Sequence, residues 1–187
     1  VATINAPRPD AVVQISAYTS CAAYIRAARG AGYGGTFHNV SFVGTQALAD
    51  ALGKDGAGVV VSQVVPSPYN AARPIAREFN TAIANGGKTV QANFSSLEGF
   101  MAAKLFAEGL RRASPRPSRD ALISALESIR DHSLGGFNVG FSASNHVASR
   151  FVELSMLTGD GRVRTGSGYG SLKKKPADRG LFLCEDE

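Results

Sequence analysis

Between Asp10 and Val65, three short β-branched runs alternate with two helix-forming stretches, and this alternation limits what the chain can fold into. Asp10-Ala-Val-Val-Gln-Ile-Ser16 reads as a buried strand. Thr19 or Ser20 is placed to cap the helix that follows, which carries Ala22, Ile25 and Arg29 at helical spacing and stops at Gly30 and Gly32. Val40-Ser-Phe-Val43 reads as a second strand. Thr45 then opens a short helix with Leu48 and Leu52 on one face, and Gly58 to Val65 is a third strand. Strand, helix, strand, helix, strand with short loops predicts an α/β fold: a parallel sheet with flanking helices and right-handed crossovers.

The pattern changes after Pro66-Ser-Pro-Tyr-Asn70. Pro74 suits a first helical turn, and Ile75, Phe79 and Ile83 recur every four residues until Gly86-Gly87. Ser95-Ser-Leu-Glu98 has the form of a capping box for a helix running to about Ala113, with Leu97, Met101 and Leu105 in line. Ser118 is placed to cap another helix bearing Leu122, Leu126 and Ile129. Successive helices with no strand between them predict a second lobe or an appended layer. Gly135-Gly136 leads into Phe137 to Phe141, and Arg150 to Leu157 alternates, with Val152, Leu154 and Met156 on one face. Gly159-Asp-Gly161 supplies the turn of a hairpin that returns through Arg162-Val-Arg164. From Thr165 on, no periodicity is visible and a poorly ordered tail is expected.

Composition narrows the function classes. The 187 residues are 44% apolar and 19% charged, a globular balance. The net charge of +5 is spread out, with Lys173-Lys-Lys175 the sole basic cluster, so a nucleic-acid partner is not expected. No apolar run approaches a membrane span. Val1 to Asn5 lacks the charged start and apolar core of a signal peptide. Cys21 and Cys184 allow at most one bridge and no four-ligand zinc site. His38, His132 and His146 lack metal spacing. Gly30-Ala-Gly-Tyr-Gly-Gly35 matches a dinucleotide fingerprint in letters, but a helix precedes it and a strand follows, the reverse of what that chemistry needs. No nucleophile elbow or phosphate loop occurs. These features predict no enzyme, no cofactor and no metal.

In open α/β sheets, ligands sit outside the carboxyl ends of the strands. Three such ends here are polar: Tyr18-Thr19-Ser20, Gly44-Thr45-Gln46, and Pro66-Ser67-Pro68-Tyr69-Asn70. Tyr18, Thr19, Ser20, Thr45, Gln46 and Ser67 are therefore the candidate ligand-binding residues. The same hydroxyls serve equally well as helix caps.

Several stretches resemble a known family: Pro9-Asp-Ala-Val-Val, Ala17-Tyr18, Cys21 to Gly32 and Ser41-Phe-Val-Gly44. So do Gly58 to Pro68, Ser95 to Ala103, Gly136 to Phe141 and Phe151 to Arg164. In order and spacing they are similar to the type I periplasmic binding proteins, specifically the leucine/isoleucine/valine-binding group of ABC-transporter substrate-binding proteins. That resemblance implies two α/β lobes with a ligand clamped between them, the first lobe mostly missing here, so that the chain is a piece of a longer protein. It assigns 1–68 to a second-lobe unit, 69–134 to first-lobe helices, 135–164 to closing strands and a hairpin, and 165–187 to a tail. It implies a small amino-acid, amide or carboxylate-like ligand, a membrane permease as partner and a periplasmic location. A ligand-sensing domain of the same fold in a receptor or transcription regulator is the alternative. The resemblance places Tyr18 at a cleft tyrosine and Gln46 where amino-acid binders carry an acidic residue. A neutral Gln46, with no acidic residue in the three strand-end turns, points away from an ammonium-bearing ligand such as leucine.

Overall fold

A computed structural model describes residues 1–165 except 88, 114 and 116. The expected tail from 166 onward, and Cys184 with it, lies outside the described residues. After a one-turn helix α1 (Ala2–Asn5), the chain runs β1 (Ala11–Gln14), α2 (Tyr18–Gly30), β2 (Thr36–Asn39), α3 (Thr45–Leu52) and β3 (Val60–Gln63). Helices α4 (Pro74–Gly86), α5 (Phe94–Ala113) and α6 (Arg119–Glu127) follow. The described chain ends with β4 (His132–Ser133), β5 (Asn138–Val139), β6 (Glu153–Leu157) and β7 (Val163–Thr165).

Strands β1, β2 and β3 are parallel, as expected, and β6 and β7 add antiparallel strands, giving the order β1-β2-β3-β6-β7. Thr165 belongs to β7 rather than to a tail. Register puts Val12, Phe37, Val61, Leu157 and Val163 on one face. There they pack with Cys21, Ala22, Ile25 and Ala28 of α2 and Leu48, Ala49 and Leu52 of α3. Burying each large side chain in such a layer stabilises the fold by ~1.5–3 kcal/mol.

Several local expectations are corrected. β2 is Thr36–Asn39, ahead of Val40–Val43. The Ser41–Val43 run instead forms a 3₁₀ turn closing on Gly44 at φ +76, because the chain must reverse there to bring α3 back over the sheet. Neither Thr19 nor Ser20 caps α2. The cap position is Ala17 and both hydroxyl residues lie in the first turn. The helix ends where the glycines predict: Tyr33 N–H reaches the Ala28 carbonyl (3.0 Å) and Gly32 N–H that of Arg29 (2.9 Å), with Gly32 at φ +81. The α5 box sits one turn-start earlier than expected. Asn93 Oδ1 accepts from Ser96 N–H (2.9 Å), Ser96 Oγ accepts from Asn93 N–H (3.0 Å), and Glu98 is exposed on the helix. Ser118 caps α6 as expected, accepting from Ala121 N–H at 3.1 Å.

The helices of 71–130 have no strand among them and build a second core with the β4–β5 hairpin. Ile75, Phe79, Phe94, Leu97, Met101, Leu134 and Phe137 form it. Gly135, at φ +61, lets the hairpin turn touch the start of α4, where an added Cβ would lie 2.8 Å from the Ile75 nitrogen. Leu122 and Leu126 are half-buried, and Phe106, Leu110 and Ile123 stay exposed. Val163 packs against both cores.

Val152, Leu154 and Met156 do share one face, and it is the more open one. Ser155 and Leu157 are buried against the helices, whereas Val152 and Leu154 are 66% and 44% exposed. Alternation gives the period of a strand but not which phase is covered. The same open face continues through Val13 and Ile15, while Val60 in its middle is 7% exposed.

Candidate functional site

The carboxyl ends of β1, β2 and β3 carry the three polar turns, and the structure divides the six candidate residues into two kinds. Tyr18, Thr19 and Ser20 occupy the exposed first turn of α2, with Tyr18 41% exposed. No acidic residue lies in the first turn of α2 or of α3, so the helix amides there face no competing carboxylate.

Thr45, Gln46 and Ser67 are instead tied into the chain. Thr45 and Ser67 are buried. Gln63, also buried, donates through Nε2 to Thr45 Oγ1 (2.8 Å) and Ser155 Oγ (2.6 Å), and Ser155 Oγ donates on to the Val61 carbonyl (3.1 Å). One amide thus binds the start of α3 to β3 and β6. Ser67 Oγ accepts from Tyr69 N–H (3.3 Å), shaping the turn after β3. Gln46 donates to Asp50 Oδ1 (2.9 Å) and the Gly161 carbonyl (3.1 Å), and its Oε1 accepts from the Tyr69 hydroxyl (3.2 Å). Burial and the negative charge of Asp50 push the Tyr69 phenol above its ordinary value, so it remains a donor.

Two residues were not singled out for the site from sequence. Asp50 is absent from every strand-end turn, yet the i,i+4 spacing of a helix sets it one turn along α3, within hydrogen-bond reach of Gln46. Asn39 ends β2 opposite Gln14 of β1, and its side chain is on the helix-covered face. It is 3% exposed, and among the described residues neither its amide oxygen nor its nitrogen has a hydrogen-bond partner; Gln14 Oε1 is likewise unpartnered. Buried amides normally find partners, which makes this polar pair between two strand ends unusual. The available signal was a pair of amide residues at the ends of neighbouring strands.

Cys21 is a buried free thiol; burial raises its pKa, which keeps it protonated. His146 pairs with Glu127 (2.9 Å), and no group of three or more His, Cys, Asp or Glu is placed to hold a metal among the described residues.

The sequence profile described as periplasmic binding protein matches residues 1–162. The chain belongs to that family. No curated protein matches this periplasmic binding protein chain. Its fold is similar to a possible leucine/isoleucine/valine-binding protein from Rhodopirellula baltica (29% identity, TM-score 0.81), covering 87% of this chain and 44% of that one. It is also similar to a substrate-binding periplasmic protein from Ralstonia solanacearum (30% identity, TM-score 0.77), covering 89% and 50%. A branched-chain amino-acid ABC transporter protein from Thermus thermophilus with bound valine shares the fold at 16% identity (TM-score 0.72), covering 89% and 48%. The fold is therefore that of type I periplasmic binding proteins of the leucine/isoleucine/valine-binding kind, whose members are solute-binding proteins rather than enzymes. The periplasmic binding protein chain spans about half the length of these structures.

Proposed function

We propose that this chain is part of the substrate-binding component of an ABC-type importer and works without catalysis. In this reading it is a piece of a longer two-lobe protein located in the periplasm, delivering a small solute to a membrane permease. The ligand would lie between lobes, against a wall formed at the carboxyl ends of β1, β2 and β3. Tyr18 offers an apolar ring with a polar tip, and Thr19 and Ser20 offer hydroxyls on a helix start without acidic neighbours. Thr45, Gln46 and Ser67 hold the other two turns in place.

The observation that carries this reading is the buried, unpartnered amide of Asn39 among those strand ends, beside the Gln14 amide oxygen. Such groups suit a polar solute with both donors and acceptors: an amino acid, an amide or a carboxylate. The bare sheet face supports the longer-protein reading, because exposed Val13, Ile15, Val152 and Leu154 form apolar surface of the kind that partners cover.

Calorimetry on the longer parent with a panel of amino acids, amides and short carboxylates tests this. Saturable binding weakened about tenfold or more by Tyr18→Ala is expected, since aromatic contacts and a lost hydroxyl together carry that much. Turnover of any of these compounds, or saturable binding unchanged by Tyr18→Ala and by Asn39→Val, would sink the reading.

A further inference from the structure

We infer that Asn85, in the last turn of α4, is a site of spontaneous deamidation that places a carboxylate on that helix end and loosens it. The site is separate from the strand-end wall and does not depend on the importer reading.

Asn85-Gly86 is the one Asn-Gly pair in the sequence. With no Cβ on the second residue, the backbone can bring the Gly86 nitrogen onto the side-chain carbonyl carbon of Asn85. That nitrogen gives its proton to water as the new C–N bond forms, and the bond to Nδ2 breaks to release ammonia. Water then opens the cyclic imide at either carbonyl, leaving aspartate or isoaspartate. Water is the sole co-reactant, and nothing is oxidised or reduced.

The structure leaves this pair open. Asn85, Gly86 and Gly87 are exposed, and a Cβ built on either glycine would meet nothing within 4 Å. Gly87, at φ +94, makes no capping bond back into α4 among the described residues, whereas Ala31 N–H closes α2 on Ala27 and Ser128 N–H closes α6 on Ser124. Helix ends fray, and this one lacks the bond that would hold it.

The Asn85 amide also has no hydrogen-bond partner among the described residues. Elsewhere Asn80 donates to the Pro68 and Ala76 carbonyls, Asn93 caps α5, and Asn145 accepts from Val147 N–H. Asn39 and Asn138 lack such bonds but precede β-branched Val40 and Val139, which crowd the backbone. The two Asp-Gly pairs, open to the same cyclisation, are restrained. Gly56 is buried against Leu52 and Leu157. The Asp160 carboxylate accepts from the Thr158 hydroxyl and from Arg162 N–H, which hold it ionised below the usual carboxylate range and so resistant to attack.

The product weakens the helix end. The last turn of α4 carries no basic residue, and negative charge at a helix C-terminus opposes the dipole. Ile83, half-buried against the second core, lies in that turn.

The test ages the full 187-residue chain at neutral pH and body temperature and maps its peptides by mass. The peptide holding Asn85 should gain one mass unit, as aspartate and isoaspartate forms, ahead of every other asparagine. Gly86→Ala, whose methyl enters open space, should slow this severalfold. Asn85→Asp should speed hydrogen exchange of the last-turn amides of α4 about two- to fivefold. An intact Asn85 after the urea-unfolded chain has reacted there would overturn the inference. So would an equal rate in Gly86→Ala, or unchanged exchange in Asn85→Asp.

Discussion

The two faces of the five-stranded sheet are built from the same kinds of residue and end in opposite environments. On the helix side, Phe37, Val61 and Leu157 are buried beneath α2 and α3. On the other side, Val13 and Ile15 are 59% and 73% exposed, and Val152 and Leu154 continue the bare surface. The helix side also holds a bonded polar group at β3, with Gln63 joining Thr45 to Ser155, beside the unpartnered Asn39 amide. The bare side has looser ones, such as Ser62 Oγ at 3.5 Å from the Asn39 carbonyl. The difference teaches that packing partners, more than side-chain hydrophobicity, decide what each strand residue contributes to stability.

Substitutions at matched positions on the two faces measure this directly. Phe37→Ala should cost ~3–5 kcal/mol in urea unfolding, through lost burial and a cavity, while Ile15→Ala should stay within ~0.5 kcal/mol. Equal costs would mean the bare face is covered in solution. Gln63→Ala should cost ~2–3 kcal/mol, because it removes a buried side chain and the donor to both Thr45 Oγ1 and Ser155 Oγ, against ~0.5 kcal/mol or less for Ser62→Ala. Comparable losses for the two would show that the Thr45–Gln63–Ser155 bonds add little.

Charge placed on the bare face sharpens the same comparison. Ile15→Lys combined with Val152→Lys should leave the unfolding midpoint of this chain nearly unchanged and reduce its binding of a hydrophobic dye. In a longer parent that buries the face, the same pair should destabilise strongly, since buried unpaired lysines are costly. An unchanged melting temperature in that parent counts against the face being covered there.

The smallest effect concerns His38, which lies on the bare face with Nε2 3.1 Å from Thr36 Oγ1. Burial lowers its pKa below the ordinary 6.5, so the fold prefers the neutral ring. The unfolded chain therefore takes up the proton first as pH falls. Stability from this group is complete above about 6.5 and declines as pH drops through 6.5 toward the lower folded pKa, then levels off. His38→Gln should flatten that part of the stability profile. A profile unchanged by the substitution would show that His38 is as hydrated folded as unfolded.

Much of the architecture was legible in the residues. The order of strands and helices up to Gln63, the Pro74 start, the Ser118 cap and the glycine stop after α2 all follow from period, capping chemistry and backbone freedom. Errors of one turn came from local degeneracy. Asn93, Ser95 and Ser96 are all competent caps, and only the position of Phe94 in the second core selects Asn93. Thr36-Phe-His-Asn39 has a weaker strand signature than Val40-Ser-Phe-Val43, and pairing with Ala11–Gln14 overrides it.

What the sequence by itself determined about this protein through periodicity and turn chemistry, which act over a few residues, is its class of fold; its family shows in the resemblance of whole stretches and the profile match. Tertiary structure alone decided which face of β6 is covered, since alternation fixes a period of two without a phase. It alone set Gln63 against Ser155, 92 residues apart in sequence, and Gln46 against Gly161, 115 apart. It alone left the Asn39 amide buried without a partner. Bonds and burial of that kind depend on where the backbone returns in space, and no window of neighbouring residues encodes that return.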